Sequence, residues 1–128
     1  MTTAAQLRNR YAQDTVSTAS PAKLLVMLYD RLSKDLLNAE QAVVAGDIPG
    51  AHAAIVHAQE IITELAVTLD VSAWEGGEKL LAVYEFCLQE LFQANVHKDA
   101  ARVHSVREII EPLRDSWKQA AAQTGEKP

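Results

Sequence analysis

Cysteine is almost missing from this chain. Cys87 is the only one, so no intrachain disulfide can form, which suits a reducing compartment. Glycine and proline are scarce, five and four in 128 residues, and aromatics supply only 5%. Alanine, leucine and glutamate abound instead, a balance that points to an all-helical protein. A basic excess is also missing: the net charge is −5, whereas a nucleic-acid binder needs a cationic face to neutralise phosphates. The longest strongly apolar run, Leu24 to Tyr29, falls far short of the ~20 residues that span a bilayer. The opening MTTAAQLRNR lacks the apolar stretch of a signal peptide. A soluble, cytoplasmic chain without membrane insertion is expected.

Catalytic and metal-binding patterns are lacking as well. No HExxH, CxxC or Glu-x-x-His is present. His52 and His57 lie about 140° apart round a helix and do not converge on one ion. A phosphate-accepting histidine is disfavoured because His57-Ala58-Gln59-Glu60 sets a carboxylate beside the ring, which repels a phosphoryl group. Cys87, between Phe86 and Leu88 with Glu85 and Glu90 nearby, lacks the electropositive setting of a reactive thiolate and reads as core filler. No catalytic residue, metal ligand or cofactor is expected, and the chain does not read as an enzyme.

What is there is helix punctuation. Ser20-Pro21 starts a helix, serine as cap and proline at the first position. Leu24, Leu25, Leu28, Tyr29, Leu32, Leu36, Ala39 and Val43 then recur at the steps that share one helical face. Gly46 ends it and Asp47 caps the next, whose stripe is Ile55, Ala58, Ile62, Leu65 and Leu69. The third helix opens at a capping box, Ser72-Ala73-Trp74-Glu75, or nearer Glu78 because Gly76-Gly77 weakens its first turns. Asp99 caps the fourth, with Val103, Val106, Ile110, Leu113 and Trp117 inward and a bend at Pro112. Short connections favour antiparallel neighbours, so the fold is an all-α, antiparallel, up-and-down four-helix bundle. One domain covers 1–128, with residues 1–19 as a mobile N-terminal arm and 119–128 as a disordered tail.

The run from Tyr11 to Asp30, YAQDTVSTASPAKLLVMLYD, carries a specific likeness. A tyrosine (Tyr11), a valine (Val16), Thr18-Ala19-Ser20-Pro21, then Leu24, Leu25 and Leu28-Tyr29-Asp30 stand in the order of the signature of the flagellar secretion chaperone FliS family, which the chain resembles. Leu80, Tyr84, Leu91, Ala94-Asn95 and Asp99 are similar to that family's third helix and exit turn. Leu113, Arg114, Trp117 and Lys118 are similar to its last helix. Arg31 stands where the family usually has glycine, and Pro112 is not a family feature.

The resemblance implies a cytoplasmic chaperone that binds the disordered C-terminal segment of flagellin, prevents its premature polymerisation and delivers it to the type III export apparatus. It implies a second partner, the export-gate protein FlhA, docked through the N-terminal region. An anti-sigma factor is a further candidate, and monomer and homodimer both stay open for the free protein. Thr18, Ala19, Ser20, Pro21, Leu28, Tyr29 and Asp30 are then structural. Leu28, Leu32, Ile62, Leu65, Leu88, Leu91, Val106 and Ile110 are assigned to the core. Apolar residues in excess of one stripe suggest a client groove, since contiguous exposed apolar surface marks binding sites. Leu24, Leu25 and Leu36 supply it from the first helix, Ile61 from the second, and Phe86 and Phe92 from the third. Leu7, Tyr11 and Val16 are expected to cover it from the arm.

Overall fold

A helix needs a start, a stop and an apolar face, and the chain supplies these four times. A computed structural model, which describes Ala4 and residues 21–123, contains α1 Pro21–Ala45, α2 Ile48–Thr68, α3 Gly77–His97 and α4 Ala100–Gln123. Each helix packs on the next and α4 returns against α1, closing an antiparallel ring. No strand occurs among the described residues. The expected arm, with Leu7, Tyr11, Val16, Thr18, Ala19 and Ser20, lies outside them, as do residues 124–128. The expected tail starts too early, because residues 119–123 belong to α4, which also continues through Pro112.

Two connections are only two residues long. After α1, Gly46 adopts φ +77°. Its N–H donates to the Val43 carbonyl and that of Asp47 to Ala42, a Schellman arrangement that closes the exposed carbonyls. The Asp47 carboxylate then accepts from the Gly50 N–H at 3.0 Å and starts α2. At the end of α3 the left-handed position is filled by Lys98, φ 50°. Asp99 follows and accepts from the Ala101 N–H at 3.0 Å to begin α4.

The link from α2 to α3 decides between the two starts expected for the third helix, in favour of the one near Glu78. No capping box forms at Ser72: its N–H and hydroxyl both donate to the Asp70 carboxylate, at 3.0 and 2.6 Å. The helix begins instead at Gly77, behind Gly76, which offers no side-chain cap. Gly77 is buried against the preceding loop. A Cβ there would sit 2.4 Å from the Val71 carbonyl oxygen and 2.7 Å from its Cα.

The core runs the length of the bundle. Leu32, Leu36 and Ala39 of α1 meet Ile55, Ala58, Ile61, Ile62 and Leu65 of α2 and Val103, Val106 and Ile110 of α4, with Leu80, Tyr84, Cys87 and Leu91 from α3. Leu36 and Ile61 are therefore sealed in the core and do not line a groove. The reason is the ring: α1 is gripped by α2 on one side and α4 on the other, so its buried arc is wider than a single stripe. Leu28 and Leu88, placed in the core from sequence, are half-buried at its margin.

Along α1 and α4 a polar ladder borders this core. Arg107 reaches Glu40 at 2.8 Å and Glu111 at 3.2 Å. The Ser33 hydroxyl donates to Glu111 at 2.8 Å and accepts from Arg114 at 3.2 Å. Lys118 pairs with Asp30 at 3.2 Å. Desolvation pushes the Glu111 carboxyl upward, but the Ser33 hydroxyl, Arg107 and the charge on Arg114 outweigh it and hold the group below its ordinary value.

Three substitutions test these contacts through stability. Gly77→Ala should cost about 1–3 kcal/mol by forcing the loop backbone away. Gly76→Ala should stay within about 0.5 kcal/mol, because its neighbour is the half-exposed Trp74 ring, which can swing aside. Urea unfolding of both variants checks this. Glu111 is depressed in the folded state, so its contribution is present above the unfolded carboxylate pKa and fades as pH falls through the folded one. Glu111→Gln should therefore cost about 1 kcal/mol or less at neutral pH, and the difference from the parent should shrink toward zero in strong acid when melting is followed against pH.

Candidate docking surface

Polar chemistry in the interior is structural. Tyr29 of α1 and Tyr84 of α3, both buried, bring their hydroxyls to 2.5 Å. Tyr29 thus sits inside the core. Trp117 of α4 packs on it, ring centroids 6.5 Å apart and planes tilted by 48°. Desolvation raises the pKa of both phenols, so they remain protonated hydrogen-bonding groups. Burial likewise pushes the Cys87 thiol up to about 12, with the Glu90 charge adding to it. A thiol held neutral is a packing group and not a nucleophile.

Three of the four histidines are taken up by neighbours. His57 of α2 meets the buried Asp35 carboxylate of α1. His52 contacts the Asn95 amide at 3.0 Å. His104 contacts Glu40 at 2.6 Å and Glu108 at 3.3 Å. Among the described residues no group of His, Cys, Asp and Glu could hold a metal, and no helix is long and apolar enough to cross a membrane.

Apolar side chains that the core leaves uncovered are a different matter. At the start of α1, Leu24, Met27, Leu28 and Arg31 line a hollow of about 200 Å³. At the same end of the bundle a second hollow, about 250 Å³, lies between Leu25, Leu65, Leu69, Trp74, Leu80 and Trp117, with Tyr84 at its wall. On α3, Phe86 and Phe92 are 52% and 56% exposed, and Val96 is 60% exposed. Of the groove residues expected from sequence, Leu24 and Leu25 therefore line separate hollows at the α1 end, and Phe86 and Phe92 stand apart on α3. Leu36 and Ile61 join neither group. Pro21 and Asp30 are exposed, and Asp30 is held by Lys118 and, at 3.9 Å, by Arg114.

A third concavity, about 730 Å³, has no counterpart in the sequence reading. It lies where α1 ends and α4 begins, lined by Val44, Ala45, Ala100 and Ala101 together with Glu40, His104 and Arg107. Its one sequence signal is Val44, a second valine after the stripe residue Val43. Asp35 and Tyr84 were also missed as polar partners, since nothing local marks a contact between helices.

The chain matches the sequence family described as Flagellar protein FliS over residues 3–124. It is 34% identical over 110 residues to the flagellar secretion chaperone FliS of Bacillus subtilis strain 168, covering 86% of this chain and 82% of that one. Against the flagellar secretion chaperone FliS of Salmonella typhimurium strain LT2 it is 32% identical over 111 residues, 84% of this chain and 81% of the other. A solved structure described as a flagellar chaperone from bacteria superposes with a TM-score of 0.75 over 93% of this chain and 98% of its own, at 17% identity. That likeness concerns the fold.

The tyrosine pair yields a direct test. Tyr29→Phe or Tyr84→Phe alone leaves one buried hydroxyl without its partner and should cost about 1–3 kcal/mol. The double variant should cost clearly less than the sum of the two, a coupling that urea unfolding of the full double-mutant cycle measures.

Proposed function

This chain belongs to the FliS family of flagellar secretion chaperones, and from that premise we propose that it holds the C-terminal segment of flagellin in the cytosol and presents it to the export apparatus. The family is one of chaperones and not of enzymes. The observation that carries the reading is the uncovered apolar surface: Leu24 and Met27 at the head of α1, and Phe86 and Phe92 on α3, in a bundle whose core is already complete without them.

The physics suits a transient client. A filament subunit with an amphipathic end segment polymerises through its apolar face, and hiding that face removes the nucleus for assembly. A segment that orders only as it binds gives up part of its contact energy to conformational entropy. Binding is then firm enough to prevent assembly and loose enough for release. Tyr11, Leu7 and Val16 are proposed to act from the N-terminal arm, covering apolar surface in the free protein and docking to the export-gate protein FlhA.

Full-length flagellin should co-elute with the purified chain, and flagellin lacking its C-terminal segment should not; equal capture of both sinks the reading. Phe92→Ser and Tyr11→Ala should each weaken capture about tenfold, the scale of losing one aromatic anchor. The melting temperature of each variant should stay near that of the parent. A large stability loss in Tyr11→Ala would make that residue a structural staple.

A further inference from the structure

The outer surface of α3 is more specific than an apolar patch. At 100° per residue, Glu78, Leu81, Glu85, Phe92 and Val96 fall within about 60° of arc, one flank of the helix. Asn95, which touches His52 of α2, lies inward of this flank. Glu90, paired with Arg102 of α4 at 3.0 Å, lies on the opposite side. The flank is thus the one turned toward α2 and solvent, and it runs about 27 Å from Glu78 to Val96.

Its chemistry divides along its length. The first half carries Glu78 and Glu85, both exposed, and neither carboxylate has an ion-pair or hydrogen-bond partner among the described residues. The second half carries Phe92 and Val96, both more than half exposed. Lys79, the lone cation between Asp70 and Glu90, points roughly 100° away from Glu78. Glu78 in the first turn gains from the helix dipole, but Glu85 lies two turns further in, beyond that reach.

We propose that this flank of α3 docks an amphipathic helical segment that sets lysine or arginine against Glu78 and Glu85 and an apolar face against Phe92 and Val96. The flank shares Phe92 with the client surface proposed above, so this inference rests on that reading and names the charge pattern of the segment the site takes: cationic beside its apolar face. Opposed charge fixes the direction in which the segment lies, and the apolar half supplies most of the affinity. A segment with acidic flanks would meet two unpaired carboxylates and be rejected.

Two synthetic amphipathic helices long enough to cover about 27 Å, identical except for lysine or glutamate beside the apolar face, are titrated against the whole protein at low and physiological salt. The lysine peptide should bind about tenfold tighter or more, the preference shrinking with salt. Glu78→Lys with Glu85→Lys should reverse the order, Phe92→Ser should weaken the lysine peptide, and Glu108→Lys, exposed on α4, should leave the preference unchanged. Glu85→Gln alone, expected to cut the preference about threefold, keeps the test valid if the double reversal lowers the melting temperature. Equal binding of the two peptides overturns the proposal. So does no binding of either, or a preference that Glu108→Lys shifts as much as the α3 changes do.

Discussion

A polar contact inside a largely apolar core sets the frame of this bundle. Tyr29 and Tyr84 sit on α1 and α3, helices that face each other across the ring and are not packed neighbours. Their hydroxyls meet at 2.5 Å. Aliphatic side chains across a diagonal can slide or repack with little loss, whereas two buried hydroxyls tolerate neither separation nor rotation, since each would be left unsatisfied. The pair fixes the distance and relative height of α1 and α3. Trp117 brings α4 to the same point. The Leu28-Tyr29-Asp30 run thus contributes to three places at once: a margin residue, the diagonal bond, and an outer ion pair with Lys118.

With that frame in place, the bundle's two sides diverge. The α1–α4 seam is stitched by Glu40, Arg107, Glu111, Ser33 and Arg114, so its polar groups are spent on one another. On the flank of α3, Glu78 and Glu85 have no such partners among the described residues, and the Phe92 ring stands in solvent. The same chain therefore saturates one face and leaves another chemically open, which is what a protein that must fold alone and still bind others requires.

Helix ends were legible in the sequence because their causes are local. Gly46, Asp47 and Asp99 act on backbone groups within a few residues, and each does in the structure what its type implies. The start of α3 was less so: Ser72 turned to Asp70, and Gly77 was needed for a close approach to Val71 that no local rule announces. The docking surface was legible in kind but not in detail. Counting apolar residues identified a surplus, yet it could not say that Leu36 and Ile61 fall inside, because the width of a helix's buried arc depends on how many neighbours grip it. Tyr29 with Tyr84, and Asp35 with His57, needed the relative heights of two helices, a quantity that only the packed bundle defines.

The ring of four helices also decides where its first helix begins and its last one ends. With two-residue hairpins at the far pole and the 69–76 link at the near one, Pro21 and Gln123 belong to the same pole, as the Tyr29–Trp117 and Asp30–Lys118 contacts require. A label placed near Pro21 or Gln123 therefore reports on one end of the cylinder, and one near Gly46 or Lys98 on the other. The same geometry permits a circularly permuted bundle in which Gln123 is joined to Pro21 by a linker and the chain is opened at Gly46.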